Sequence, residues 1–350
     1  MQITGGTVLL GSDGLRPVDL TLRDGLISFD RADGPRFDAS GLLVLPGIVD
    51  LHGDAFERQL QPRPGVDFPV DLALRETETQ LLANGITTAF HGVTLSWEPG
   101  LRSLTAWRAF LDALDAGSWT CDMRVHLRWE AYNLDALETA LADIAAGRVH
   151  LLAFNDHTPA IIRKLKDPIE GVKYSARAGM RIEAFEAMAE EIAARAEAVP
   201  AALDSIAAAA GAIGLPMASH DDDSIAARDG FRARGARICE FPMAEEIAAA
   251  AAAAGDFVAM GCPNVVRGKS HLGWGSAARM AEAGICRVLT SDYYYPAMLS
   301  AVFVLAEQGV LDFAQAWALM SENPAQAAGL TDRGVIDLGK RADLVIVDPA

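Results

Sequence analysis

The stretch Leu45–Glu57, LPGIVDLHGDAFE, decides how this chain is read. An apolar run from Leu42 to Val49, broken by Pro46 and Gly47, gives way to Asp50, His52, Asp54 and Glu57. A strand driven through a core has little use for such an ending. Each desolvated charge costs on the order of several kcal/mol unless it is paired or bound to a cation. His52 and Asp54 stand two residues apart, so strand alternation puts them on one face. A lone histidine hydrogen-bonded to an aspartate would satisfy that pair, and the rest of the chain has to decide.

Seven further apolar runs end in polar residues: ITTAFHGVT (Ile86–Thr94), MRVHLRWE to Glu130, VHLLAFNDH to His157, LPMASHDD around His220, ARICEFP to Pro242, DFVAMGCPN to Asn264 and RVLTSDYY around Asp292. Helical stretches such as LTAWRAFLDALDA, IEAFEAMAEEIAARAEAVPAALDSIAAAAGAIG and MAEEIAAAAAAAG lie between them. Strands alternating with helices imply a parallel sheet. Eight such units imply an α/β fold of the (β/α)8 TIM-type barrel kind, with its site at the C-terminal ends of the strands. The alanine-rich segments keep helical propensity and read as barrel-facing helices.

The two ends of the chain read differently. Residues 1–45 form short strand signals, QITGGTVLL and VDLTLRDGLISF, with turns at Gly5-Gly6, Asp13-Gly14 and Asp24-Gly25. The pattern resumes in GVIDLGKRADLVIVDPA. A small β-sandwich-like domain built from residues 1–45 and 333–350 is expected, with a barrel over 46–332. A further hairpin beyond Ala350 is also an expectation.

Composition bounds the function. With 51% apolar residues, 350 residues are ample for a large core. No run of eighteen apolar residues suggests a membrane span, and the N-terminus lacks a basic region followed by an apolar core. Four scattered cysteines with no CxxC suit a reduced, cytoplasmic protein. A net charge of -17 argues against nucleic-acid binding. An anionic substrate would need local arginines, lysines or metal ions.

The strand ends repeat the opening theme. Glu130, Asp156-His157, His220-Asp221 and Asp292 stand where His52 and Asp54 stand on the first strand. Three imidazoles and several carboxylates meeting at one mouth call for cations. Their mixed nitrogen and oxygen chemistry suits zinc first, with manganese or iron also accommodated.

These residues resemble the amidohydrolase superfamily: PGIVDLHGD after a β-rich N-terminus, strand-end histidines, and SD on strand eight. The first-strand pair is HxD here, where that superfamily usually has HxH. With HLRWE, NDHTP, ASHDD, PNVVRGKSHLG, TSDYYYPAML and NPAQAAGLTDRGVIDLGKRADLV, it resembles a branch that cleaves a ribose 5-triphosphate in phosphonate utilisation. The resemblance implies two divalent metal ions. His52 and Asp54 would hold the first, His157 and His220 the second, and Glu130 would bridge them. Asp292 would bind the first metal and accept a proton from water, acting as the catalytic base. The metals of comparable zinc sites lower that water's pKa to around 7.

The implied reaction splits a phosphoanhydride bond and releases pyrophosphate from a small phosphorylated substrate. Arg63, Arg128, Arg267, Lys269 and His271 are the candidate phosphate contacts, because guanidinium groups fit phosphate oxygens. Arg128 shares the face of Glu130 and should point into the mouth. His126 reads as a hydrogen-bonded core histidine. Asp221 to Asp223 read as a solvated loop or helix cap, and the basic insert Ala160–Gly179 as a lid. Hydrolysis of a cyclic amide or amidine is the alternative, and a catalytically dead scaffold the third reading. Pairing into a homodimer, common in such barrels, is compatible with the sequence.

Overall fold

The computed structural model describes residues 1–31, 33–63, 65–268 and 275–349. Its central feature is an eight-stranded sheet in which each strand pairs in parallel with its neighbour in the chain. The barrel strands are β1 (Ile48–Gly53), β2 (Ile86–Leu95), β3 (Asp122–Glu130), β4 (Leu151–Asn155), β5 (Met217–His220), β6 (Ile238–Glu240), β7 (Phe257–Gly261) and β8 (Cys286–Thr290). The sheet closes just past the end of β8. The Asp54 amide donates to the Asp292 carbonyl, and the Asp292 amide to the His52 carbonyl, each at 2.9 Å. The expected (β/α)8 barrel is therefore present, and each of the eight apolar runs that end in polar residues supplies one stave.

The apolar run Leu42–Val49 divides at Gly47. Leu43–Pro46 pairs with Leu344–Val347 and Thr7–Leu9 in a separate sheet, while Ile48 opens the barrel. A β-carbon at position 47 would collide with the Thr87 side chain, so only glycine lets the chain pass between the two sheets. That terminal sheet also holds Leu15–Pro17. A second four-stranded sheet contains Gln2–Thr4, Leu20–Arg23, Leu26–Ser28 and Arg36–Asp38. Ile3, Val8, Leu20, Ile27, Ala39, Val44 and Ile336 form the apolar core of these end segments.

Two apolar layers position the barrel mouth. Outside the sheet, Trp107, Phe110 and Leu111 of the helix Leu104–Ala116 join the main core. Val49, Leu51, Phe90, Leu151, Ala153, Ala218, Ile238, Ala259 and Val288 form a smaller buried cluster. Register places Leu151 opposite His126 and Ala153 opposite Arg128, so this cluster lines the same barrel interior as the polar mouth. Alternation in β1 is interrupted: its register against β2 shifts between Asp50 and Gly53. Leu51 belongs to the interior cluster, and His52, next in line, also meets interior residues. Such irregularities re-aim side chains beside active sites.

The long alanine-rich stretch expected as one helical segment forms two helices, Ile182–Ala193 and Val199–Ala212. Pro200 sits in the first turn of the second, where its missing N–H is harmless. The insert at 160–179 lies in the helices Thr158–Leu165 and Pro168–Ala178. With Ile182–Ala193 they enclose a satellite core of Ile161, Leu165, Ala178, Phe185 and Ala189, against which Trp97 packs. Among the described residues, no helix is long and apolar enough to cross a membrane.

Asp50 fastens the barrel closure. Its carboxylate accepts from the Ser291 amide at 3.0 Å, the Ser291 hydroxyl at 2.5 Å and the His52 amide at 3.3 Å. A β-carbon on Gly53 would lie 2.8 Å from Asp50 Oδ2 and 2.9 Å from Ser291 Oγ. Gly53→Ala should therefore cost about 1–3 kcal/mol in a denaturant titration, the usual cost of overpacking. An unchanged midpoint would mean that the closure has slack.

Candidate active site

The C-terminal ends of the strands carry a dense polar cluster, and its deepest part lies under His52. His52 is buried, and its Nδ1 lies 3.1 Å from Glu240 Oε2 at the end of β6. His126 of β3 places Nε2 3.7 Å from the same oxygen, while its Nδ1 lies 3.0 Å from the Leu51 carbonyl. A carbonyl only accepts, so His126 Nδ1 carries the hydrogen. Burial lowers the His126 pKa to about 3 and holds the His52 pKa well below its usual value, with Arg128 adding to the effect at both. Burial also raises the Glu240 pKa, against the pull of His126, His220 and Arg128.

A second group adjoins it. His157 Nδ1 lies 3.2 Å from Glu130 Oε2, and its Nε2 lies 3.4 Å from Asp221 Oδ2. Glu130 Oε1 accepts from the amides of His157 (3.0 Å) and Thr158 (3.2 Å) and from the Thr158 hydroxyl (3.0 Å). That carboxylate thus anchors the start of the helix Thr158–Leu165, as acids at helix N-termini do. Burial works against the charge of His157, yet its hydrogen bonds to Asp221 and Glu130 raise its pKa to about 9. His220 Nε2 accepts from the Arg128 guanidinium at 3.0 Å. Its Nδ1 lies 3.2 Å from Asp221 Oδ1 without a hydrogen-bond partner, and burial lowers its pKa to about 4. Burial would raise the pKa of Asp221, but His220 and His157 outweigh it and leave it well below the usual range.

These two groups are one neighbourhood. Ring centroids of His52 and His220 lie 5.2 Å apart, and those of His157 and His220 lie 5.6 Å apart. Phe241 walls the space, edge-on to His52 at 4.9 Å and to His220 at 5.3 Å. Arg128 NH1 lies 3.7 Å from Asp54 Oδ2. Burial pushes the Asp292 pKa up to about 7, with Asp54 adding repulsion and Arg128 opposing it. Asp221, Phe241 and Asp292 have φ of 56°, 51° and 55°, three of the four non-glycine residues with positive φ among those described. Such backbone costs on the order of 1–3 kcal/mol per residue and gathers at functional sites.

Of the residues singled out in the sequence, His52, Asp54, Arg128, Glu130, His157, His220 and Asp292 meet in this cluster. Arg63 does not join it: it is exposed in a turn where its carbonyl accepts from the Val66 amide at 3.0 Å. Arg267 stands on the rim, its NH1 3.4 Å from the Tyr293 hydroxyl. Lys269 and His271 lie outside the described residues. Asp221 is not a solvated loop residue, because it faces two imidazoles; the cap of the following helix is Ser224. Glu240 and Arg58 escaped the sequence reading. Glu240 ends an apolar run like the other strand-end acids and pairs in register with His220, a signal the spacing did carry. Arg58, whose NH2 lies 2.5 Å from the Tyr293 carbonyl, gave none.

The donor atoms suit divalent metal ions. One ligand atom each from His52, His126 and Glu240 lies within 4.8 Å of the others, and the same holds for His157, His220 and Asp221. His126 Nε2, His220 Nδ1 and Glu240 Oε1 are buried without hydrogen-bond partners. Because His220 Nε2 accepts from Arg128, its Nδ1 carries the hydrogen, and the unpartnered lone pairs are those of His126 Nε2 and Glu240 Oε1; this imidazole–carboxylate mixture accommodates zinc, manganese or iron.

Fold and site together define a metal-dependent hydrolase barrel, and residues 43–350 match the Amidohydrolase family, to which this chain belongs. Over 321 residues it is 35% identical to alpha-D-ribose 1-methylphosphonate 5-triphosphate diphosphatase of Escherichia coli (strain K12), covering 88% of this chain and 84% of that protein. Solved structures share the fold at low identity. Molinate hydrolase aligns with a TM-score of 0.62 and 16% identity over 100% of this chain and 89% of that one. A putative prolidase from Bifidobacterium longum gives 0.61 and 15% with the same coverage. A 5-methylcytosine deaminase from Klebsiella pneumoniae gives 0.60 and 16% over 99% and 91%.

The raised pKa of His157 sets a pH signature for chelator-treated protein. Protonated His157 is favoured in the folded state, so its stabilisation is full below about 6.5 and is lost as pH rises through about 9. The stability difference between wild type and His157→Asn should therefore shrink across that window in parallel urea titrations. A constant difference would show that His157 is not held as a cation.

Proposed function

We propose that this protein hydrolyses the phosphoanhydride bond of a ribose 5-triphosphate, α-D-ribose 1-methylphosphonate 5-triphosphate being the reading its relative suggests. The products are the ribose 5-phosphate and pyrophosphate. The observation that carries phosphorus over carbon is on the rim. In a chain of net charge -17, Arg58 and Arg267 flank Tyr293, the residue after Asp292, one at its carbonyl and one at its hydroxyl. Neither has an ion-pair partner among the described residues. Uncommitted guanidiniums beside a metal-suited cluster fit a polyphosphate far better than a neutral amide.

His52 and Asp54 would hold one divalent ion and His157 and His220 the other, zinc being the first expectation. Asp292 would help hold the first ion, and Glu130 would be a carboxylate ligand common to both. When bound, such ions neutralise phosphate charge and make a water acidic enough to attack near neutral pH. Asp292 takes the proton released by the attacking water. As the new oxygen–phosphorus bond forms at the α-phosphorus, the bond to the bridging oxygen breaks and the electron pair leaves with pyrophosphate. Arg58 and Arg267 hold that departing charge, and Arg128 balances the carboxylates beneath it.

The deciding experiment is pyrophosphate release across ribose and nucleoside 5-triphosphates, with a cyclic amide as control. Release from the ribose triphosphate with no amide turnover is expected, and the reverse would overturn the reading. In the same assay Arg267→Ala or Arg58→Ala should raise KM for the triphosphate about 10–100-fold, the loss of one charge-assisted hydrogen bond. An unchanged KM in both variants would remove the phosphate role of the rim. Asp292→Asn should lower kcat at least about 100-fold while most metal stays bound, as loss of a general base does. Turnover near the wild-type rate would exclude Asp292 as the proton acceptor.

A further inference from the structure

Glu240 is fully buried at the end of β6, with Oε2 turned to His52 Nδ1 at 3.1 Å and to His126 Nε2 at 3.7 Å. The hydrogen on His126 is fixed at Nδ1 by the Leu51 carbonyl, so its Nε2 offers a lone pair. Glu240 Oε2 offers another. If His52 carried its hydrogen on Nε2, three lone pairs would face one another inside a buried pocket. A hydrogen on His52 Nδ1 turns the closer of these contacts, at 3.1 Å, into a donated bond and leaves His126 Nε2 alone unpartnered at 3.7 Å. It also leaves the Nε2 lone pair on the side of Gly92 and Arg128, where a β-carbon on Gly92 would lie 3.5 Å from His52 Nε2 and 3.2 Å from Arg128 Cδ.

We infer that Glu240 is a positioning residue: it accepts the Nδ1 hydrogen of His52 and so fixes the tautomer and ring orientation that turn Nε2 toward the barrel mouth. His126, tied to the backbone of the residue before His52, completes the pocket and leaves that hydrogen no competing donor. Carboxylates that take the second hydrogen of a ligand histidine typically govern metal affinity by 10–100-fold. This rests on the two-ion reading above for its metal readout and on nothing but the pocket for its tautomer readout.

The test uses Glu240→Leu and Glu240→Gln in the full chain, with zinc as the probe. Zinc affinity is measured by competition with a chelator and stoichiometry by elemental analysis. The hydrogen position is read in metal-free protein from histidine ¹⁵N chemical shifts, a tractable spectrum with seven histidines. Glu240→Leu should weaken zinc binding by about 10–100-fold and lose the protonated-Nδ1 signature of His52. Glu240→Gln should restore both to within a few-fold, because its carbonyl oxygen can take the place of Oε2 and accept from His52. Loss of one zinc equivalent in both variants would instead make the trio itself a metal site and overturn the positioning role. So would a wild-type His52 protonated at Nε2, a readout that needs no folded Leu variant. Absence of zinc binding by the wild type would refute the two-ion reading alone, leaving the ¹⁵N result to decide the role of Glu240.

Discussion

The guanidinium of Arg128 is the charge on which the barrel mouth depends. It is nearly buried, donates to His220 and lies against Asp54. Its field opposes the burial that raises the pKa values of Asp54, Asp292 and Glu240. The same field adds to the burial that keeps His52 and His220 neutral, the form in which imidazole binds metals. Removing one partner from such a buried set costs about 3–5 kcal/mol, because the partners left behind lose their compensation.

Around that charge the fold stores strain and rigidity in adjoining places. Asp221, Phe241 and Asp292 take left-handed backbone at the ends of three staves, and for a phenylalanine that conformation is rarely tolerated. Under the strained turn at Asp221 lies a buried network. Asp222 accepts from Ser219 at 2.5 Å, and Arg228, itself buried, sits 2.9 Å from Asp256 and 3.7 Å from Asp222. Asp50 does the same work on the opposite side by tying β1 to Ser291. Rigid braces under strained, charged turns are what a preorganised site requires.

Much of this was legible in the sequence, and for a physical reason. Buried parallel strands are continuous apolar runs, so a histidine or acid at the end of one stands out. His52, Glu130, His157, His220 and Asp292 were visible in that way. Alternation placed Arg128 correctly, because β3 is regular. In β1 the register shifts, and Asp50 ties to Ser291 instead of joining the site. The break at Gly47 was visible as Pro46-Gly47, but that two strands in different sheets share one apolar run was not. Glu240 was overlooked for a different reason. Its place at the end of an apolar run was readable, but its contact with His52 on β1 was not. Asp221 was misread because three successive acids resemble a solvated turn until two imidazoles are brought against the first.

Anomalous diffraction from crystals of zinc-loaded protein tests the central claim most directly. The account predicts two strong peaks in the barrel mouth, one within bonding distance of His52 and the other of His157 and His220. Well-ordered mouth side chains with no peak among them, or zinc bound only elsewhere on the surface, would contradict it.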